Sequence, residues 1–434
     1  ILAISTLCLT SIISNMNTYN FTKICQEHDA NKTGVPPLSQ FEQATLQSAT
    51  AIGALASSIP LLFSFSRFSK KTVFLSAGSV SILATALIPL ASELGYGFFL
   101  VARIFQGVAF STTFPMIGAV TSNWAALSEH GIFLAFLTGN AQLSNVFTMP
   151  VSGALCSSSL GWHSVFYLHA GIAIVLFGLF ALFFKDEPTS HRFVSSTELE
   201  KITQRPATKE KQVEEKQRAV PYKEILMSKT VWGVWLAAFA DILAIQFVSM
   251  FNPQYMSDYL KFDVMESGFL AAVPVIVQWL CKIFAGVSSD MLTCFGETLK
   301  IRVYNSIALA SSAVFFVVLS FIPPSYAAMA VAILIITEGL IGFNTAGFNK
   351  CGTLHARQYS HFVMIQVMNI QCLCILVEPF ISDAILTTNT QSQWRTVFIL
   401  HAVLPFICNI IFCLWADSRP APWTQVFCLP YFSP

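Results

Sequence analysis

The chain has 434 residues, of which 54% are hydrophobic and 11% are charged, and its net charge is +1. Soluble domains average about 25% charged residues, so this composition excludes an ordinary soluble protein and indicates a membrane protein. The near-neutral charge also argues against nucleic acid as a partner.

Twelve apolar segments are long enough to cross a bilayer, which requires about 20 mostly apolar residues. In chain order they cover residues 1–21, 43–65, 72–90, 98–121, 132–155, 165–184, 231–251, 267–287, 303–322, 326–348, 361–385 and 397–415. The sequence therefore predicts an all-α membrane protein of twelve transmembrane helices in two six-helix bundles. Residue 1 already lies in an apolar run, so we expect the first helix to be truncated.

A charged segment, residues 185–230, separates the first six predicted helices from the last six. It carries 10 Lys or Arg and 8 Asp or Glu residues, which is typical of a solvated linker. We predict four regions from this pattern. They are an amino-terminal six-helix bundle (1–184), a cytosolic charged linker (185–230), a carboxy-terminal six-helix bundle (231–415) and a cytosolic tail (416–434).

The basic residues predict the orientation of the chain. If the amino terminus is cytosolic, the cytosolic segments hold 18 Lys and Arg residues. The other side then holds only Lys23, Lys32, Lys261 and Arg395. Because Lys and Arg concentrate in cytosolic loops, we predict that the amino terminus and the linker are cytosolic. The membrane is either the plasma membrane or a lysosomal or vesicular membrane.

Two features fall on the predicted non-cytosolic side. Asn31 begins an Asn-Lys-Thr pattern and is a candidate for N-glycosylation. Cys25 and Cys156 lie near the same face of the membrane, and the sequence leaves open whether they form a disulfide.

Arg103 lies inside the apolar stretch 98–124. A charge at membrane depth costs at least about 2.5–3.5 kcal/mol, so such a residue usually faces protein or water and has a task. Two interpretations are open. The side chain snorkels to the interface, since Arg103 lies only about 8 Å past Phe98 at the helical rise, or its charge attracts an anion into a transport cavity.

A faint internal repeat relates the two halves of the chain. Gln106-Gly107-Val108 in the fourth predicted helix parallels Glu338-Gly339-Leu340 in the tenth, and both helices occupy the same place in their half. Two halves related in this way predict a substrate site between them, near the membrane midplane.

Several stretches resemble a known family. They are RIFQG from Arg103, GWHSVFY from Gly161 and GFN from Gly347, together with the twelve helices and the central linker. The chain resembles the major facilitator superfamily, and more closely its family of sialin, vesicular glutamate and sodium-phosphate (organic anion) symporters. The resemblance implies the major facilitator fold, secondary transport coupled to H⁺ or Na⁺, and no cofactor.

The chain departs from this family at three positions. Phe110 stands where the family usually has a helix-four Glu that takes part in proton coupling. Asp241 stands where vesicular glutamate transporters have an Arg, and Asn15 lies near the place of a helix-one Arg. The resemblance therefore implies the fold but not glutamate or sialic acid as the substrate.

Acidic residues at membrane depth are the candidates for proton coupling. Glu338 lies about 18 Å into a core of roughly 30 Å, and Asp241 also lies near the midplane. We expect Glu338 to replace the missing helix-four acid, or else to be neutralised by a hydrogen-bond donor without a transport role. Glu378, beside Pro379, is a third candidate, and the alternative interpretations are a gate residue and a water-facing helix end.

The candidates for substrate binding are Arg103, Asp241, Asn140 and Asn344. Asp241 also has a second possible role as the partner of Arg103 or Lys282 across the cavity. Lys282 itself is expected to snorkel towards the cytosolic end of its helix.

The leading hypothesis is a secondary active transporter of a small organic anion or phosphate, coupled to H⁺ or Na⁺ by alternating access. The alternatives are a transporter of neutral or cationic solutes and a transport-dead sensor or scaffold of the same fold. No catalytic or metal-binding motif is present, so we predict no enzyme activity and no metal site. The predicted partners are a small molecule, expected to be an anion, and the lipid bilayer around a monomer.

Overall fold

The computed structural model describes residues 1–33, 38–125, 133, 136–191, 194–203, 221–292 and 294–424, and these residues contain helices and no strand. Twelve segments follow one another, here called spans 1 to 12. In order they are Leu2–Thr33, Gln40–Arg67, Lys70–Leu94, Tyr96–Phe110 with Thr113–Trp124, Asn140–Cys156, His163–Phe183, Lys229–Gln254, Val264–Met291, Glu297–Ser306 with Ser312–Ser320, Ala327–Ile341 with Phe348–Ala356, Ser360–Ile385 and Gln391–Trp415. Two short helices, Ser196–Thr203 and Tyr222–Met227, lie between spans 6 and 7.

Ten helices of the described part are long and apolar enough to cross a membrane. The two remaining spans are spans 1 and 5. Span 1 has 32 residues but is more polar, and span 5 has 17 residues within the described part. The predicted all-α membrane fold is therefore confirmed. Residues 204–220 of the predicted linker and 425–434 of the predicted tail lie outside the described residues, so the four-region division stays a prediction.

Span 1 is longer than the apolar pattern indicates, because it continues to Thr33 instead of ending near residue 21. Its polar residues face protein and not lipid. The amide nitrogen of Asn17 donates to Asn145 Oδ1 at 2.7 Å, and Thr18 and Asn20 are buried. A count of apolar residues ends such a helix too early, because bilayer-depth polar groups that have protein partners are tolerated.

Serine residues set where several spans begin. Ser39 accepts a hydrogen bond from the backbone of Glu42 and donates its own backbone N–H to the Glu42 carboxylate, which forms a capping box at span 2. Ser69 and Ser228 cap spans 3 and 7 through their side chains. These caps satisfy amide groups that would otherwise lack a partner at the membrane surface.

Spans 4 and 10 are interrupted at comparable places. Span 4 breaks at Ser111 and Thr112, whose hydroxyls donate to the carbonyls of Val108 and Ala109. Span 10 changes to a 3₁₀ helix at Gly342–Ala346. Hydroxyls that bond to nearby carbonyls compete with the helical ladder, which accounts for the first break. The two breaks follow the two copies of the sequence repeat.

Several contacts between the two bundles lie on one side of the molecule. The linker face is defined as the side where span 6 ends and span 7 begins, and the other side is called the opposite face. Gln40 Nε2 donates to the Leu386 carbonyl at 3.2 Å, and Ser48 Oγ donates to the Leu376 carbonyl at 2.7 Å. Backbone also packs closely there, since a Cβ on Gly268 would lie 2.6 Å from the carbonyl oxygen of Met149. The structure is therefore closed at the opposite face.

A disulfide joins two spans of the amino-terminal bundle at that face. Cys25 near the end of span 1 is bonded to Cys156 at the end of span 5. The sequence did not decide whether these two cysteines pair, and in the structure they form a disulfide.

Gly107 allows spans 2 and 4 to touch backbone to backbone. A Cβ at this position would lie 1.9 Å from the carbonyl oxygen of Thr50. We expect Gly107→Ala to destabilise the protein by at least about 1–3 kcal/mol, because overpacking forces the backbone apart. Thermal unfolding in detergent measures the effect, with Gly118→Ala as the matched control, since that site on span 4 is open within 4 Å. Equal unfolding temperatures for both variants would contradict this account.

Candidate functional site

Arg103 is held inside the amino-terminal bundle and is only 1% exposed. Its Nε donates to the Leu46 carbonyl of span 2 at 3.0 Å. Its Nη1 donates to the Met16 carbonyl of span 1 at 2.7 Å and to Gln106 Oε1 at 2.7 Å. The Tyr19 ring lies 5.1 Å from the guanidinium carbon, within the range of a cation–π contact. The side chain therefore points into the bundle and does not extend to the membrane surface.

Gln106 extends this network to span 3. Its amide nitrogen donates to the Asn15 carbonyl and to the Thr85 hydroxyl, both at 2.8 Å. Arg103 and Gln106 are three residues apart, a spacing that places both on one face of the helix. Sequence reasoning missed Gln106 as a site residue, although that spacing is a signal for the network.

The positive charge of Arg103 has no carboxylate partner in the described part of the chain, where no ion pair includes it. A guanidinium has five N–H groups, and three of them are used in the hydrogen bonds above. The two of Nη2 make no hydrogen bond to the described residues. Phe110, at the position of the family's acid, is 3% exposed and lies in the hydrophobic core. The interior of this bundle therefore holds an uncompensated cation.

The carboxy-terminal bundle holds a group of three buried or half-buried titratable side chains. Asp241 on span 7 and Glu338 on span 10 are each 2% exposed, and Lys282 on span 8 is half-buried. Lys282 interacts electrostatically with both acids. Asn344 Nδ2 donates to Asp241 Oδ2 at 2.6 Å, while Asp241 Oδ1 and Glu338 Oε1 have no hydrogen-bond partner among the described residues. We call Asp241, Lys282 and Glu338 the acid–lysine cluster.

A small cavity lies between span 5 of one bundle and spans 7, 8 and 10 of the other. Its volume is about 40 Å³, which is room for about three waters. Its polar lining consists of Gln142, Asn145, Ser249, Asn252, Gln278 and Glu338. We call it the interbundle cavity. In this conformation it is too small for an organic anion.

Several buried polar atoms at the interbundle cavity have no partner among the described residues. Three are acceptors, namely Gln142 Oε1, Asn252 Oδ1 and Glu338 Oε1, and one is a donor, Gln278 Nε2. Buried polar groups are normally hydrogen-bonded, so these atoms require water or a ligand. Of the polar residues at this cavity, only Glu338 was a candidate from the sequence.

The structure brings together only some of the predicted site residues. Asp241, Asn344 and Glu338 meet at the acid–lysine cluster, and Arg103 lies in the other bundle. Glu338 lines the interbundle cavity, whereas Arg103 and Asp241 do not. Asn140 is buried in the first turn of span 5, two residues before Gln142. Glu378 is fully buried and bonded to other residues of its own bundle. The hypothesis that Asp241 pairs with Arg103 is not realised in this conformation.

Lys23 contacts the other bundle, although the sequence placed it in a loop. It is 3% exposed, and its ammonium lies 4.5 Å from the ring centroid of Phe251 on span 7. It also interacts electrostatically with Glu27 and with Asp383 on span 11. Because the first helix was predicted to end near residue 21, the sequence did not predict that Lys23 joins the bundles at the opposite face. Asn31 lies near the end of the same helix, and its side chain lies outside the described part.

Residues 2–379 match the model of the Major Facilitator Superfamily. The chain belongs to this superfamily. It is 30% identical to "Sialin" of Homo sapiens over 416 residues, which cover 93% of this chain and 82% of that one. It is 25% identical to "Sodium-dependent phosphate transport protein 1" of Homo sapiens, over 88% of this chain and 82% of that one. The resemblance seen in the sequence is thereby confirmed.

Solved structures of this superfamily share the fold. A D-xylose-proton symporter superimposes with a TM-score of 0.72 at 13% identity, over 96% of this chain and 97% of that one. A bacterial homolog of the human lysosomal transporter Spinster, in an inward-facing and occupied conformation, gives 0.71 at 13% identity, over 97% and 98%. As a member of the Major Facilitator Superfamily, the chain is a secondary membrane transporter, in agreement with the twelve-helix prediction.

Arg103 should be essential for the stability of the amino-terminal bundle. Arg103→Gln removes the bonds to the Leu46 and Met16 carbonyls and takes the donor from Gln106 Oε1, and a buried unsatisfied group costs about 1–3 kcal/mol. We expect a lower unfolding temperature in detergent by several degrees. Arg67→Gln is the control, because Arg67 is an exposed arginine at the linker-face end of span 2. An Arg103→Gln protein with the same unfolding temperature as the wild type would refute the structural role of Arg103.

Proposed function

We propose that this transporter moves a small organic anion or phosphate by alternating access, with movement coupled to H⁺ or Na⁺. The observation that carries the proposal is the buried Arg103 charge, which has no carboxylate partner in the described residues and two Nη2 N–H groups without an acceptor there. A positive guanidinium with unused N–H donors attracts and hydrogen-bonds the oxygens of a carboxylate or phosphate. The names of the relatives, sialin and sodium-dependent phosphate transport protein, support the same class of cargo.

The proposed binding site joins both bundles. Arg103 supplies the positive potential from one side, and Asp241, Asn344 and Asn140 supply polar contacts as the bundles rearrange. The interbundle cavity of about 40 Å³ has to widen before a cargo enters. Alternating access provides this change, because rocking of one bundle against the other opens the site to each side in turn.

Glu338 is our candidate for the coupling group. It lines the interbundle cavity, and its Oε1 has no donor among the described residues, which suits a carboxyl that gains and loses an ion. Asp241 is the alternative in the same cluster. A buried carboxylate is able to bind either H⁺ or Na⁺, and one relative is named as sodium-dependent. No cofactor is needed in this scheme.

A neutral or cationic cargo is the second candidate. The observation in its favour is the excess of acceptors at the interbundle cavity, where three oxygen atoms and one amide nitrogen lack partners among the described residues. Acceptors of this kind suit a cargo that carries hydroxyl or ammonium donors. Uptake of such solutes in preference to anions would place the acid–lysine cluster at the centre of recognition.

We propose that the amino terminus and the linker face the cytosol, in the plasma membrane or in a lysosomal or vesicular membrane. The Cys25–Cys156 disulfide supports this orientation, because disulfides persist in oxidising compartments and it lies at the opposite face. The basic residues of the linker give the same answer. Asn31 would then be presented for glycosylation on the non-cytosolic side. A monomer is sufficient, since both halves of the site lie in one chain.

Uptake into liposomes by purified protein tests the anion proposal. The panel contains phosphate, organic anions, neutral solutes and cations, with pH and Na⁺ gradients imposed separately. We expect anion uptake that falls at least tenfold in Arg103→Gln and remains in Arg67→Gln. A stability assay on the same samples separates loss of binding from unfolding. Uptake restricted to neutral solutes or cations would overturn the anion proposal.

The coupling role of Glu338 has its own test. Glu338→Gln keeps the size of the side chain but cannot bind a proton or a sodium ion as a carboxylate does. We expect gradient-driven accumulation to fall to the level of passive equilibration, while exchange of labelled for unlabelled cargo continues. Unchanged accumulation in this variant would remove Glu338 from the coupling mechanism.

A further inference from the structure

A buried acid and a buried histidine meet between spans 11 and 12. Glu378 is 0% exposed and His401 is 1% exposed. Glu378 Oε2 lies 3.1 Å from His401 Nε2, and Ser382 Oγ donates to Glu378 Oε1 at 2.5 Å. The Phe247 ring of span 7 stacks on the imidazole with the ring centroids 4.2 Å apart. The pair therefore lies in a closed apolar setting.

The contacts of the imidazole fix how many protons the pair holds. His401 Nδ1 lies 2.9 Å from the Val397 carbonyl oxygen, which only accepts, so Nδ1 carries a hydrogen. In a neutral ring, Nε2 then presents a lone pair to Glu378 Oε2. Two lone pairs at 3.1 Å repel, so a proton must lie between these atoms. Whether it is written as imidazolium and carboxylate or as imidazole and carboxylic acid, the pair holds one proton more than an ionised Glu with a neutral His.

Titratable groups of three spans lie around the pair. Asp383 and Cys374 lie on the same span and interact electrostatically with Glu378. Span 7 contributes Asp241, which acts on Cys374, and span 1 contributes Lys23 and Glu27, which act on Asp383. Span 2 meets span 11 through Ser48, which does not titrate. Removing the proton from the closed site would leave the lone pairs of His401 Nε2 and Glu378 Oε2 facing each other at 3.1 Å.

The pair lies on the span that closes the opposite face. Leu376 and Leu386, which accept hydrogen bonds from span 2, flank Glu378 on span 11. Pro379 follows directly inside the helix, and its missing N–H frees the carbonyl of Ile375 from the helical ladder. Span 11 is thus able to bend at the residue that holds the proton.

We propose that Glu378 and His401 form a proton-binding site that is occupied while the opposite face is closed and that exchanges with water when span 11 leaves span 2. Acidity on the opposite side then favours closure, and the pair acts as a proton-dependent gate. This role rests on the proposed transport function, whereas the proton count rests on the hydrogen bonds alone. The pair is separate from the acid–lysine cluster that we propose for coupling.

The first test needs no cargo. If the folded protein binds one proton more than the unfolded chain, the unfolding equilibrium constant rises up to tenfold for each pH unit above the range in which free histidine titrates. We expect the thermal unfolding temperature of wild type to fall between about pH 7 and pH 9, and the fall to be smaller in Glu378→Gln. The side-chain amide introduced by this substitution would supply a hydrogen to His401 in place of the bound proton.

Glu93→Gln is the matched control, because Glu93 and His163 form the corresponding contact at 3.9 Å on the exposed surface. This variant should keep the wild-type pH profile. His401→Gln is the second variant, and it should flatten the profile as Glu378→Gln does. Parallel profiles of unfolding temperature against pH in wild type and both pair variants would overturn the proposal. If neither variant folds, a wild-type unfolding temperature that does not depend on pH would overturn it.

The second test measures the gate. Exchange of labelled cargo is followed while only the pH on the opposite side of the liposome membrane is varied. Wild type and Glu93→Gln should respond to this pH by several fold, and Glu378→Gln should not. Exchange that proceeds without any such response would overturn the gate and leave the transport proposal intact. Absence of exchange for every cargo would count against the transport proposal, and the stability profiles would still decide whether the proton site exists.

Discussion

The amino-terminal bundle depends on one buried guanidinium. Within a bilayer the backbone and every polar side chain must find partners inside the protein, because lipid offers none. Arg103 meets this constraint by donating to backbone carbonyls of spans 1 and 2, and Gln106 passes the network on to span 3. Four spans are therefore held in register around one charge. The approach of spans 2 and 4 at Gly107 lies one helical turn away.

The two bundles contain buried charges of opposite sign. The first holds a cation with no carboxylate partner among the described residues, and the second holds two acids around one lysine. The sum over the acid–lysine cluster is negative when both acids are ionised. Protonation of either acid brings the cluster to neutrality, which changes the attraction between the bundles and the potential that an anion meets. The charge of the acid–lysine cluster therefore affects how strongly the two bundles attract each other.

Much of the fold could be predicted from local sequence. Apolar runs gave the spans to within several residues, and the repeated Gln-Gly and Glu-Gly positions marked the two interrupted helices. The apolar runs failed for span 1, because its polar second half is buried against protein, and Lys23 was therefore placed in a loop. The partnership of Glu378 with His401 joins residues on separate spans, and no local pattern predicts it. Arg103 was recognised, but its acceptors are backbone carbonyls, which carry no sequence signal.

The disulfide between Cys25 and Cys156 has a mechanical consequence. Span 1 touches span 7 through Lys23 and Phe251, and span 5 touches span 8 where Gly153 and Gly268 meet. The covalent bond links spans 1 and 5, the two spans of this bundle that contact the other bundle at this end. A displacement of either span is therefore transmitted to the other, so the bundle rotates as a rigid body and its helices do not slide separately. Reduction of the disulfide would remove this covalent link between spans 1 and 5.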